Sequence, residues 1–293
     1  MNFSPVLPAD FASRLIAWQQ QHGRHDLPWQ ASRDPYRVWL SEIMLQQTQV
    51  VTVIPYYLRF LELFPTLADL AAPQDAVLAA WSGLGYYSRA RNLHKAAQQV
   101  MAEHGGVFPL QCEQIAALPG IGPSTAAAIG AFAFGQPHAI LDGNVKRVLC
   151  RFFGIDGYPG AKKVETRLWQ IADALAPASG IEAYTQAQMD LGATICTRGK
   201  PQCLLCPLQQ DCVARIEGRT GELPASKPKK AYPERETVML LLRQQLQTSK
   251  APRPDSAPDA APSAALRDST DAVPRPAPQA STDAVPEPAL QPN

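Results

Sequence analysis

The 293-residue sequence lacks a long apolar run, a strong net charge and, with one exception, any strand-like segment. A stretch of about eighteen consecutive apolar residues does not occur, which excludes a membrane-spanning helix of ordinary length. The first ten residues lack the charged and apolar regions of a secretion signal. The 27 basic and 26 acidic side chains give a net charge of +1. These absences predict a soluble, cytoplasmic protein with a substantial apolar core.

The small net charge conceals two different parts of the chain. Residues 251–293 carry six acidic and three basic side chains, ten prolines and no aromatic residue. Such a composition cannot bury a core, so we predict a disordered Pro/Ala-rich tail. Residues 1–250 hold the other 24 basic and 20 acidic side chains, a balance of +4 that is compatible with a nucleic-acid-binding face.

The most specific local pattern lies in residues 118–151. A helix end is followed by a tight turn containing Gly120 and Gly122, and a helix of small residues begins near Ser124. This order is a helix-hairpin-helix pattern. Amide groups at a helix N-terminus have no intrahelical acceptor and attract phosphate, so the pattern predicts a DNA-binding hairpin.

Two acidic residues are candidates for catalysis. Asp142 precedes an amphipathic helix, where a lone acidic residue is most often only an N-cap. Glu42 lies at the border of the apolar face of a helix that starts near Tyr36. Partial burial would raise the pKa of Glu42 and suit it to general acid catalysis. A boundary glutamate that leans into solvent is the alternative.

A crowded set of cysteines indicates a metal centre. Four of the six cysteines follow the spacing C-x6-C-x2-C-x5-C: Cys196, Cys203, Cys206 and Cys212. In a long chain without a secretion signal, such crowding favours a metal site over disulfides. The single C-x2-C knuckle favours an iron–sulfur cluster, and zinc remains the rival. The loop between the first two cysteines would present Arg198 and Lys200 to phosphate.

Five motifs occur together in a recognisable order: WLSEIMLQQTQV, GLGYYSRARNL, LPGIGPSTA, LDGNVKRV and the four-cysteine loop. They resemble those of the bacterial adenine DNA glycosylases of the MutY type, in the helix-hairpin-helix superfamily of endonuclease III. The resemblance covers residues 8–224. It implies a monomeric, nucleoid-associated enzyme that binds double-stranded DNA with an adenine mismatch and removes adenine paired with 8-oxoguanine or guanine.

The same resemblance implies an all-α, two-lobed fold with an iron–sulfur cluster loop. We expect part of the cluster lobe at 1–29, a six-helix lobe with the hairpin at 30–135, and the rest of the cluster lobe at 136–224. Residues 225–250 are expected to be a linker and the vestigial start of a C-terminal domain, including the strand-like run 237–242. Family members use that domain to recognise 8-oxoguanine, so we expect weak lesion selectivity.

The resemblance also implies roles for individual residues. The catalytic acid, the carboxylate that stabilises the sugar cation and a supporting amide match Glu42, Asp142 and Asn144. The side chains that fill the gap left by the flipped base match Gln47 and Tyr87. Positions of the adenine pocket match Trp29, Leu45 and Asp190. The four cysteines would hold one 4Fe-4S cluster.

One departure from the superfamily pattern bears on the reaction. Ser124 stands where bifunctional relatives carry a catalytic lysine, and a serine cannot form a Schiff base, so we expect a monofunctional glycosylase. Two other hypotheses remain open. The first is an endonuclease III-like glycosylase and lyase for oxidised pyrimidines, against which Ser124 and the LQQTQV segment argue. The second is a non-catalytic iron–sulfur DNA-binding protein, against which the joint presence of Glu42, Asp142 and Asn144 argues.

Overall fold

The computed structural model describes residues 7–71 and 74–228, together with Glu236 and Met239. The chain divides into Met1–Tyr232 and Pro233–Asn293, and all described residues except those two belong to the first unit. Within these ranges the regular structure is entirely helical, which confirms the all-α prediction. The predicted tail, and the strand-like run apart from Met239, lie outside the described residues.

The described part of the chain contains twelve α-helices. They are α1 Phe11–His22, α2 Pro35–Leu45, α3 Val50–Leu63, α4 Leu67–Leu70, α5 Gln74–Ala80, α6 Tyr87–Glu103, α7 Cys112–Ala116, α8 Pro123–Phe134, α9 Gly143–Phe152, α10 Lys162–Leu175, α11 Ile181–Asp190 and α12 Val213–Ile216. Short 3-10 segments occur at Pro28–Ala31 and Cys203–Leu205, and a π-helical turn at Leu191–Ile195 follows α11. Among the described helices, none has the length and apolarity needed to cross a bilayer.

Two separate hydrophobic cores divide these helices into two lobes. The first core forms around Trp39, Phe60 and Trp81 and draws on α2 to α8. The second forms around Phe11 and Tyr184 and draws on α1 and on α8 to α11. Helix α1 packs against α11, so the N-terminal helix completes the second core. The two-lobed arrangement is therefore confirmed, whereas the residue boundaries of the lobes stay predictions.

Helix α8 contributes side chains to both cores. Ala126 and Ile129 belong to the first core, and Ala128 and Ala131 belong to the second. A helix that is apolar all round is one that is buried on several sides, and small residues let neighbouring helices approach it closely. The hairpin that leads into α8 is therefore held by both lobes.

Two aspartates fix the starts of the helices that carry the candidate catalytic residues. The Asp34 side chain accepts a hydrogen bond from the Tyr36 amide at 3.0 Å, with Pro35 at the first helical position of α2. The Asp142 Oδ1 atom accepts one from the Val145 amide at 2.7 Å and caps α9. Each bond satisfies an amide that has no intrahelical acceptor.

Candidate active site and DNA-binding surface

Glu42 lies in α2 on the wall of a cavity of about 630 Å3. Its neighbours Ser41 and Ile43 are buried, so Glu42 is held where the core meets the cavity. Burial, and to a lesser extent the nearby charge of Asp142, raises the pKa of Glu42 to about 8. The carboxyl group is therefore mostly protonated near neutral pH, which is the state that a general acid needs.

Asp142 combines its role as the N-cap of α9 with a position from which its charge acts on Glu42. Burial raises the pKa of Asp142, while the amides of Val145 and Asn144 and two neighbouring basic side chains oppose that effect. The pKa of Glu42, in contrast, is affected only by burial and by the like charge of Asp142, and both raise it. Of the two interacting carboxyl groups, Asp142 is therefore the better placed to carry the negative charge. Asp142 can serve both as an N-cap and in catalysis, because the hydrogen bond from the Val145 amide uses only Oδ1 of its carboxylate.

The side chain of Asn144 is oriented by a contact that the sequence did not reveal. Arg147 Nη2 donates to Asn144 Oδ1 at 2.8 Å and to the Gly192 carbonyl at 2.7 Å, and its Nε donates to the Cys196 carbonyl at 2.8 Å. A Cβ at Gly192 would lie 2.5 Å from the Asn144 Cβ, so only glycine permits this approach. Asn144 and Arg147 lie one turn apart on α9, but no local pattern could have indicated the Gly192 and Cys196 carbonyls that hold Arg147, because they lie 45 and 49 positions away.

The cavity next to Glu42 has an aromatic and aliphatic wall. Trp29 and Leu45, which the resemblance assigns to the adenine pocket, both line it. Trp29 is 9% exposed and meets Tyr57 edge to face, with ring centroids 5.5 Å apart. The indole is therefore fixed in place by the first core and presents a rigid surface to the cavity.

Asp190, which the resemblance assigns to the adenine pocket, is buried and contacts residues of the cavity wall. It is 1% exposed and is not among the residues that line the cavity. Its Oδ1 accepts from Arg24 Nε at 2.7 Å and from Gln186 Nε2 at 2.8 Å, and its Oδ2 accepts from the Arg24 amide at 2.9 Å. A buried carboxylate requires such partners. Arg24 and Gln186 do line the cavity, and Asp190 holds them there.

The hairpin between α7 and α8 uses its two glycines differently. Gly120 has φ +81, and a Cβ there would lie 2.8 Å from the Asn92 Cβ, so the turn requires glycine. Gly122 has an ordinary extended backbone and open space around it. Neither amide donates to an acceptor within the described chain. Both glycines are exposed, so their amides are accessible to a phosphate.

Ser124 joins the hairpin helix to the candidate catalytic loop. Its hydroxyl oxygen accepts a hydrogen bond from the Leu141 amide at 2.9 Å, immediately before Asp142. The side chain is therefore engaged within the protein. Its role in binding DNA stays a prediction, and any contact to a phosphate would come from its backbone amide at the start of α8.

Two exposed loops carry the candidate gap-filling residues. Gln47 follows α2, is exposed and has φ +57. Tyr87 is the first residue of α6 and is 41% exposed, and its hydroxyl lies 3.5 Å from Ser82 Oγ. The adjacent Tyr86, to which the resemblance assigned no gap-filling role, is 60% exposed and has φ +50. The geometry of Tyr86 therefore suits insertion between bases better than that of Tyr87.

Two of the four cysteines in the loop, Cys196 and Cys212, contact Arg151. All six cysteines of the chain carry free thiols. Arg151 Nη1 lies 3.4 Å from Cys196 Sγ, and Cys212 Sγ lies 3.6 Å from the Arg151 carbonyl. Among the described residues, no group of three or more His, Cys, Asp and Glu is arranged to hold a metal ion. The donor set is four thiols, which is the set that iron–sulfur clusters and zinc prefer.

Arg198 and Lys200 occupy the loop between the first two cysteines. The Arg198 carbonyl accepts from Arg151 Nη2 at 3.2 Å, and the Lys200 carbonyl accepts from Thr197 Oγ1 at 2.9 Å. Both residues are exposed. The loop backbone is thus fixed while the two cationic side chains face solvent, which suits contact with phosphate.

The helical lobes and the hairpin are those of the helix-hairpin-helix class of DNA repair proteins. A family model described as "HhH-GPD superfamily base excision DNA repair protein" matches residues 40–174, which include Glu42, the hairpin and Asp142. Among solved structures, a thermostable thymine-DNA glycosylase is 30% identical with a TM-score of 0.65. That alignment covers 71% of this chain and 95% of the other.

Curated relatives narrow the class to one family. The adenine DNA glycosylase of Buchnera aphidicola subsp. Acyrthosiphon pisum is 43% identical over 234 residues, which cover 80% of this chain and 67% of that protein. The adenine DNA glycosylase of Mus musculus is 44% identical over 225 residues, which cover 73% of this chain and 44% of that protein. The chain belongs to the adenine DNA glycosylase family within the HhH-GPD superfamily.

Proposed function

We propose that this chain is a monomeric, adenine-specific DNA N-glycosylase that removes adenine mispaired with 8-oxoguanine or guanine and leaves the strand intact. The observation that carries the proposal is the position of Glu42 on the wall of a large cavity, where burial and the charge of Asp142 raise the pKa of its carboxyl group to about 8. The relatives named for adenine excision support adenine as the base.

The two carboxyl groups divide the chemistry between them. Glu42 donates its proton to N7 of adenine, because adenine leaves poorly as an anion. The C1′–N9 bond then breaks, its electron pair moves to the base, and an oxocarbenium-like sugar remains, which ionised Asp142 stabilises. A water molecule adds to C1′ and returns its proton to Glu42. Asn144, held by Arg147, supports the site beside Asp142.

The cavity wall supplies selection for the base. Trp29 and Leu45 offer the flat apolar surfaces on which a flipped base can stack. Arg24 and Gln186 add polar groups that can read the edge of a purine, and Asp190 fixes both of them. A buried polar group left without a partner by the wrong base would reduce its binding.

The remaining candidate residues bind the DNA independently of its sequence. The Gly120 and Gly122 amides and the exposed Arg198 and Lys200 side chains suit phosphate contacts. Flipping a base costs a few kcal/mol, which side chains inserted into the stack offset. Gln47 is one such side chain, and the second is one of the two tyrosines at the start of α6.

We infer that the four-cysteine loop holds one 4Fe-4S cluster. Cys196, Cys203, Cys206 and Cys212 would supply the four thiolates, and the Arg151 guanidinium next to Cys196 would offset part of their negative charge. Such a cluster would fix the loop that carries Arg198 and Lys200. Iron, sulfide and zinc analysis of anaerobically purified protein decides between this cofactor and zinc.

The proposed function is tested by Glu42→Gln in single-turnover assays. The substrates carry adenine opposite 8-oxoguanine, guanine or thymine, with and without alkali, which separates base removal from strand cleavage. The amide keeps size and polarity but cannot donate the proton, so binding should persist while excision falls by about 100-fold or more. The control is Glu62→Gln, an exposed glutamate of α3. Excision by Glu42→Gln at the parent rate would remove Glu42 from the mechanism.

A further inference from the structure

Arg89 is a buried arginine of α6 that holds the loop following α2. Its side chain is 7% exposed. The Nη1 atom donates to three carbonyl oxygens at the end of α2, those of Ile43 at 3.1 Å, Met44 at 2.7 Å and Gln46 at 2.6 Å. The Nη2 atom donates to Thr48 Oγ1 at 3.0 Å. The last two contacts hold the residues on either side of Gln47 in the chain.

The same guanidinium also holds the turn that leads into α6. Nη2 lies 3.4 Å from the Leu84 carbonyl and 3.3 Å from the Gly85 carbonyl. The Arg89 guanidinium carbon lies 5.3 Å from the Trp81 ring centroid and 5.4 Å from that of Tyr86. One side chain therefore connects the end of the helix that carries Glu42, the loop of Gln47 and the turn of Tyr86.

Both connected loops have an unusual backbone. Gln47 and Tyr86 are the only non-glycine residues with positive φ among those that the structure describes. Left-handed backbone at a residue with a Cβ persists only where the surroundings hold it, and such residues gather at functional sites. Arg89 is the group that contacts both loops, and both residues project exposed side chains.

We propose that Arg89 is a positioning residue that locks Gln47 and Tyr86 into one rigid wedge, which fills the space vacated by the flipped adenine. The proposal rests on the proposed glycosylase function. It also selects Tyr86 over Tyr87 as the second inserting side chain. A planar guanidinium is needed because it can donate to both loops at once, whereas a lysine ammonium is a single point of charge.

The test compares Arg89→Lys with the parent protein on two substrates. One is duplex DNA with adenine opposite 8-oxoguanine, in which the base must be extruded. The other places the same adenine in an unpaired three-nucleotide bubble, where little stacking is lost. Arg89→Lys should reduce excision about tenfold or more on the duplex and less than about threefold on the bubble, since only the duplex needs the wedge. Arg91→Lys, an exposed arginine of the same helix, is the matched control.

The bubble substrate also reports whether the variant folds and retains its acid, because excision there needs Glu42 but no wedge. Thr48→Val, which removes one of the six hydrogen bonds of the Arg89 guanidinium, should shift the duplex-to-bubble ratio in the same direction by a smaller factor. Equal losses on both substrates, or no loss on the duplex, would overturn the role of Arg89. A parent protein that excises no adenine from either substrate would instead refute the proposed function.

Discussion

The raised pKa of Glu42 predicts that the catalytic acid destabilises the protein as pH rises. The ordinary carboxyl value of 4.5 becomes about 8 in the folded protein. A group whose folded pKa is raised contributes its full stability below pH 4.5, and that contribution is lost as pH rises toward 8. Glu42→Gln, which has no proton to lose, should therefore become more stable than the parent as pH increases.

The magnitude follows from the two pKa values. The resulting loss of unfolding free energy in the parent is close to zero at pH 4, about 2 kcal/mol at pH 6 and about 4 kcal/mol at pH 7.5. Because Glu42 faces a cavity that water can enter, we expect about half of these values in the free energy of unfolding. The amide itself can shift stability by a constant amount. The prediction is therefore tested by how the difference in unfolding free energy between Glu42→Gln and the parent changes with pH.

Urea denaturation of Glu42→Gln and the parent between pH 5 and pH 8 measures this difference. Both proteins carry the same four-cysteine loop, so its contribution cancels in the comparison. Glu62→Gln serves as the exposed control, and its difference from the parent should not vary with pH. A constant difference between Glu42→Gln and the parent across this range would show that Glu42 is already ionised in the folded protein, and the proposed acid would lose its physical basis.

Four further predictions follow from the site. Single-turnover excision should fall as pH rises through about 8, because Glu42 then loses the proton that it donates; a rate that keeps rising to pH 9 contradicts this. Gly120→Ala should lower the melting temperature, since its Cβ would meet Asn92, whereas Gly122→Ala should leave stability unchanged and weaken binding to DNA of any sequence. Strand breaks should appear only after alkali, because Ser124 cannot form a Schiff base; breaks at neutral pH would indicate a lyase. Cys203→Ser should lower iron and sulfide content, and unchanged content would show that this cysteine is not a ligand.

Local sequence patterns determined much of this protein. Helical periodicity with boundary polar residues placed Glu42 at the edge of a buried face, where the structure has it. Gly120 specified the turn of the hairpin, because its left-handed backbone and its close approach to Asn92 both require a residue without a Cβ. Asp142 before an amphipathic run specified the N-cap of α9. These features depend on residues within one or two turns of each other, so the chain encodes them directly.

Other features were decided only by tertiary structure, because they depend on contacts between distant parts of the chain. The resemblance assigns Asp190 to the adenine pocket, and only the fold shows that it is buried and holds Arg24 across 166 positions. The two adjacent tyrosines are equivalent in sequence, and only the backbone at Tyr86, with Arg89 beneath its ring, distinguishes them. Helical periodicity and turn residues specify which side chains face a core. The residue that pairs with a buried charged group is instead decided by how helices distant in sequence pack together.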